Sequence, residues 1–259
     1  MKYSPSLLLL FLVGALFSCQ THPYQNQYGD LNQPVESVTE TYYPVSIDRY
    51  GEVSIKEDQP FSGLKTSYNK QGWVDELTYL GPDGEVDASF YRQYDSQGRV
   101  SQEHFLSLVD STLWVSQLQQ MMGDQLLYKE YEESKPHEEV FVTLRYQNDS
   151  ITRWIDNTLS VLEVRNEYLL PLEKLTYAEN GERYSRETYT YEGKLLLKFE
   201  YEGPSEKDSY TYRYQYLKFD ERGNWTERLK YFNKRPERIT RRSIVYRNTS
   251  SSKPTKAPQ

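Results

Sequence analysis

From residue 195 onward, apolar side chains recur at every second position. Leu195, Leu197, Phe199 and Tyr201 form one such series and Tyr210, Tyr212, Tyr214 and Tyr216 another, with mostly Lys, Glu, Thr, Arg or Gln between them. A period of two places each series on one face of a pleated strand. A second pattern punctuates the first: an aromatic or Leu is followed four residues later by Gly, as in Tyr68…Gly72, Leu80…Gly84, Tyr94…Gly98, Tyr177…Gly181 and Phe219…Gly223, with Tyr191-Glu192-Gly193 a shortened relative. Asn69, Asp95 and Asp220 stand directly after the aromatic. A carboxylate or amide there suits the first position of a type I turn, and Gly then takes the left-handed place of a G1 bulge. Each copy therefore predicts a strand end and a tight reversal, with strands roughly 23–30 Å long.

Local reversals make successive strands antiparallel neighbours. The predicted fold is all-β, an antiparallel meander of Tyr-rich hairpin repeats forming an extended or partly rolled sheet. Residues 101–176 contain one glycine, Gly123. Within them, 113–122 reads either as a strand or as a short amphipathic helix, with Trp114, Leu118 and Met121 at helical spacing. The extended look of 126–131 and 140–146 favours the strand. No linker of domain-boundary quality interrupts the chain, so 37–247 reads as a single β-repeat domain. Residues 20–36 are rich in Gln, Asn and Pro and read as a flexible tether, and 248–259, made largely of Ser, Pro and Lys, as a disordered tail.

Composition changes the expected core. The chain has 25 Tyr, 9 Phe and 4 Trp. Such amphipathic rings suit a broad sheet with much of both faces wet better than a thick aliphatic core. The formal charge is −7, but it is uneven. Residues 218–259 hold twelve Lys/Arg against four Asp/Glu, a basic end on an acidic body. That end reads either as a surface for anionic lipid or another envelope polyanion or, the favoured reading, as solvated strand residues such as Arg228, Arg238 and Arg242 that deter edge pairing.

The first eighteen residues follow the secretory plan: Lys2 is the positive flank, Leu7 to Leu16 form an apolar run too short to span a bilayer, and Ser18 is small. Leu16-Phe17-Ser18-Cys19 resembles the lipobox of bacterial lipoproteins, with Phe17 bulkier than the usual occupant. Cys19 is the sole cysteine, and an oxidising compartment normally pairs its thiols. The resemblance implies a signal peptide over 1–18 and covalent lipid on Cys19, acyl chains included. Two or three chains hold a protein on a bilayer far better than one. Gln20 in place of Asp after the cysteine implies sorting to the outer membrane, with the domain facing the periplasm.

Tyr94-Asp95-Ser96-Gln97-Gly98-Arg99-Val100 and Phe219-Asp220-Glu221-Arg222-Gly223-Asn224-Trp225 resemble the YD repeat of RHS-type proteins, and the segment through Arg242 resembles the closing unit of repeat lipoproteins of the Bacteroides-type cell envelope. The resemblance covers roughly 45–105 and 175–247. It implies hairpin-built β-sheet and supplies no catalytic residues.

The three histidines, His22, His104 and His137, are not at metal-ligand spacing with one another. There is no nucleophile elbow, phosphate loop or dinucleotide fingerprint. Neighbouring acids such as Glu132-Glu133 read as solvated turn residues. These features point away from an enzyme, a resident metal or cofactor, and nucleic acid. The leading expectation is a non-enzymatic, membrane-anchored module that binds or scaffolds another envelope protein. The alternatives are a glycan-binding module using Tyr210, Tyr212, Tyr214, Tyr216 and Trp225 as its face, and a carrier of a lipid or other apolar ligand.

Overall fold

A computed structural model describes residues 30–147 and 149–247. Cys19, the signal peptide, most of the tether and the 248–259 tail lie outside them. The described chain is strand after strand: β1 (Val35–Ile47), β2 (Val53–Ile55), β3 (Ser62–Tyr68), β4 (Val74–Leu80), β5 (Val86–Tyr94), β6 (Val100–Ser107), β7 (Thr112–Met122), β8 (Gln125–Glu132) and β9 (Val140–Gln147). There follow β10 (Ser150–Ile155), β11 (Thr158–Arg165), β12 (Pro171–Tyr177), β13 (Arg183–Glu192), β14 (Leu195–Glu202), β15 (Tyr210–Phe219), β16 (Trp225–Phe232) and β17 (Arg235–Tyr246). The only helical turn among the described residues is the 3₁₀ segment Glu206–Asp208.

From β3 to β17 each strand pairs antiparallel with the next, and β1 then joins both ends, with Glu40 opposite Arg242 of β17 on one side and opposite Leu64 of β3 on the other. The sheet is thus a closed, sixteen-stranded barrel, with β2 a short flap on the end of β1. This corrects the expected extended or partly rolled sheet. The alternation and turn signals that predict the meander are local, whereas closure depends on a pairing about two hundred residues apart. Closure also removes the open edges that the basic end was expected to guard. The possible helix at 113–122 is likewise overturned: it is β7, paired with β6 and β8, and Trp114 faces Phe105 and Glu132 across the ladders.

The glycine turns are built as their chemistry requires. Asn69, Asp95 and Asp220 each accept two backbone N–H groups through Oδ1, from Gln71 and Trp73, Gln97 and Arg99, and Arg222 and Asn224. The glycine four residues after the aromatic has positive φ, and the ladder shifts register at each of the five copies. Gly98 has a second reason to be glycine: a Cβ there would lie 2.6 Å from the Trp73 ring. Two further copies escaped the sequence reading: Asp48 accepts the N–H groups of Tyr50 and Glu52, with Gly51 at positive φ, and the other contains no glycine. Asn166 accepts the N–H groups of Tyr168 and Leu170, and Leu169, not Gly, occupies the left-handed position with φ 59°.

Residues 30–36 do not behave as a tether. Leu31 and Val35 are buried and pack with Val38, Ile244 and Tyr246. Residues 30–36 thus belong to the β-domain, which begins ahead of residue 37.

Candidate functional site

Arg92, Glu103, Tyr128, Glu130, Arg153 and Arg165, drawn from strands between β5 and β11, line one recess of about 430 Å³. Side chains from so many successive strands converge only on a concave face, so the face they share is the lumen. Following the cross-strand pairs around the ring assigns the same face elsewhere: Tyr210, Tyr212, Tyr214 and Tyr216 on β15, Trp225, Arg228 and Lys230 on β16, Arg238 and Arg242 on β17, and Glu40 and Tyr42 on β1. Eight strands make a barrel that side chains just fill, and sixteen leave room for water. In keeping with this, every substantial strand–strand contact joins sheet neighbours, and luminal Trp114, Phe219 and Phe232 keep 47%, 49% and 38% of their surface exposed.

The outward face carries Lys129, Arg145, Arg186, Lys198, Arg213 and Arg241. A lipid-facing barrel needs an apolar band there, and each buried cation would cost about 2–4 kcal/mol at the bilayer midplane. These cations interrupt any such band on the outward face. No helix among the described residues is long and apolar enough to cross a membrane.

The expected binding face is brought together, and it is turned inward. Tyr210 stacks on Tyr201 at 4.9 Å, Tyr212 on Phe199 at 5.9 Å, and Tyr189 meets Phe199 edge-on at 5.1 Å. Phe232 closes the group on the β16 side, 5.6 Å from Tyr212. These four tyrosines are half-buried while Arg213 and Gln215 between them are exposed outward. Two details depart from the sequence reading. A register shift between Thr190 and Tyr191 puts Leu196 opposite Tyr191, so the alternation through Phe199 and Tyr201 does not run unbroken back to Leu195. Trp225 is 1% exposed and therefore part of the wall, not a ligand platform.

What covers Trp225 is the N-terminal segment. Asp30 accepts a hydrogen bond from Trp225 Nε1 at 2.7 Å and pairs with Arg242 at 2.9 Å, while Arg242 also binds Glu40 at 2.7 Å and lies 3.5 Å over the Trp225 ring. Asn32 donates its N–H to Asn224 Oδ1 and its side-chain amide to Gly223 O, and Lys194 donates to Leu31 O. Arg247 ties the end of β17 to the carbonyls of Val35, Tyr68 and Asn69. The segment thus straps the seam at which the barrel closes. Burial pushes the Asp30 carboxyl up, but Arg242 and the Trp225 hydrogen bond outweigh it and hold it below the ordinary carboxylate value.

Cations are distributed unevenly in the lumen. In the β5–β11 recess each has a carboxylate: Arg92 with Glu103, Arg153 with Glu130, Arg165 with Glu163. Burial raises the Tyr94 hydroxyl nearby, pushing it up to about 12. On the tyrosine side, Lys230 lies 3.2 Å over the Tyr212 ring and pairs with Glu237, Arg228 lies over Tyr214 and Trp225, and Arg238 lies 4.3 Å over Tyr42 with no ion pair among the described residues. Burial and the neighbouring Arg238 lower the Lys230 ammonium despite Glu237. The tyrosine row was visible in the sequence; the cations beside it were not, because which face each Arg and Lys takes depends on the bulges in β16 and β17.

Among the described residues no group of three or more His, Cys, Asp or Glu is placed to hold a metal ion. No protein-family model matches the chain, and no curated protein matches it. Among solved structures, the crystal structure of a porin-like protein from Bacteroides uniformis is similar at 11% identity, covering 82% of this chain and 98% of that one, with a TM-score of 0.41. At that score the likeness transfers nothing about role.

Proposed function

We propose that the protein is a non-enzymatic binding module of the cell envelope, held at the outer membrane by lipid on Cys19, whose barrel stands in the periplasm and holds a glycan against the luminal tyrosine wall. The observation that carries this reading is the inward orientation of Tyr210, Tyr212, Tyr214 and Tyr216, partly exposed and flanked by Tyr201, Phe199 and Phe232. A row of partly exposed rings on the concave face, beside charged groups, suits sugar rings, which present apolar faces and polar edges.

The other two readings have less support. A carrier of an apolar ligand would have to desolvate the ion pairs of Arg92, Arg153 and Arg165, which is expensive. For a protein partner, the exposed outward hydrophobics Tyr91, Phe141, Tyr184 and Val245 are spread over β5, β9, β13 and β17, and Ile47, Tyr50 and Val53 gather only on the short β1–β2 flap.

Retention of the purified protein on immobilised mixed glycans tests the reading. Replacing Tyr212 and Tyr214 together by alanine is expected to abolish retention with the circular dichroism spectrum still native; unchanged retention in the folded double variant would refute luminal glycan binding. The anchor is tested separately by fractionation, in which Cys19→Ala is expected to leave the membrane fraction.

A further inference from the structure

Resting on the luminal reading above, we infer that Arg228, Lys230 and Arg238 form an anion subsite at the edge of the tyrosine row, so that the glycan held there is acidic, with an oxyanion on at least one sugar. The argument begins with register. Lys230 and Arg238 are directly opposite each other across the β16–β17 ladder, both on the luminal face. Like charges at directly opposed positions destabilise a sheet. Arg228 lies two residues along the same strand, on the same face.

The available counter-charge does not settle this cluster. Glu40 is engaged at 2.7 Å by Arg242 and stands 3.8 Å from Arg228. Glu237, at the bulge between Pro236 and Arg238, pairs with Lys230 alone and keeps 39% of its side-chain surface exposed. Among the described residues, Arg238 is matched only by the face of Tyr42. The buried Nε atoms of Arg228 and Arg238 have no hydrogen-bond partner among the described residues. A buried guanidinium N–H without an acceptor is costly, and two of them in one patch are directed at the same kind of group. A carboxylate, phosphate or sulfate oxygen at the remaining guanidinium nitrogens would supply the missing negative charge and relieve the repulsion. The rings of Tyr212 and Tyr214 lie directly against Lys230 and Arg228, so a sugar held at the exposed edges of those rings places its substituents beside the cations.

The test uses the mature protein and three probes in titration calorimetry: a galacturonic acid tetrasaccharide, its neutral methyl ester, and inorganic phosphate. The acid is expected to bind about tenfold or more tightly than its ester, with phosphate competing weakly. In Arg238→Gln the ratio of acid to ester affinity should fall toward one, and in Glu237→Gln, which removes the local counter-charge, it should rise. Melting of unliganded Arg238→Gln should be unchanged or higher, because a repulsive cation has gone. Equal binding of acid and ester would overturn the anion subsite and leave the luminal glycan reading standing; binding of neither would overturn both. Phosphate binding as tightly as the acid would mean a free-anion site, and a clearly lower melting temperature for Arg238→Gln would mean a structural arginine. Either result would also overturn the inference.

Discussion

Two arcs of the same ring solve the problem of a wet lumen differently. Between β5 and β11 each luminal arginine that lines the recess has a carboxylate, and a small apolar cluster of Leu126, Tyr128 and Val142 stiffens the wall. From β13 round to β1 the wall is tyrosine, its cations outnumber their partners, and its stability is concentrated at Trp225 and the strap over it. The first arc is electrostatically closed. The second holds its cations against aromatic faces, which stabilise a charge without neutralising it and leave it able to take an anion.

The contrast should break first at Trp225. Trp225→Ala is expected to remove about 4–5 kcal/mol, measured by urea denaturation, because the ring is fully buried beneath Arg242 and Asp30. Trp114→Ala, on the paired arc and 47% exposed, should remove far less. Next in size, Arg242→Met removes the main cation from both Asp30 and Glu40, leaving Glu40 only Arg228 at 3.8 Å, and should cost about 3 kcal/mol. Arg153→Ala, whose pair with Glu130 is about one-third exposed on both sides, should stay below about 1 kcal/mol.

Glycine turns sharpen the comparison at a smaller scale. Gly98→Ala brings a Cβ onto the Trp73 ring as well as a strained φ, and should cost about 2 kcal/mol, whereas Gly181→Ala, with open space at its Cβ, should cost about 1 kcal/mol. Smallest is the acid response of the strap. Asp30 is held below its ordinary value of 3.8 by its partners, so its contribution is fully present above that value and is lost as the pH falls through the lower, folded-state one. Trp225 fluorescence and melting temperature should register release of the strap on acidification, and Asp30→Asn should remove that pH dependence.

The hairpins were legible because their information is local. Asp95, Gly98, Asp220 and Gly223 state a turn within five residues, and alternation states a face within eight. Leu169 shows the limit of such reading. It does the work of glycine because Asn166 supplies the same two hydrogen bonds, and nothing about a leucine announces a left-handed backbone. The binding row was likewise legible as a row, but not as an interior one. Trp225 was grouped with it on composition, and only the packing of residues 30–34 shows that it is wall.

By itself, the sequence determined the strand periodicity, the positions of the reversals and the shared face of Tyr210 to Tyr216, because each depends on backbone sterics and hydrogen bonds within a few residues. The tertiary structure alone decided that the meander closes, that the tyrosine face looks inward, and that Arg238 meets no carboxylate among the described residues. Those outcomes rest on the pairing of β1 with β17 and β3 and on bulges that shift which side chains face the lumen. Pairing energies between segments some two hundred residues apart leave no short-range signature in the order of the amino acids.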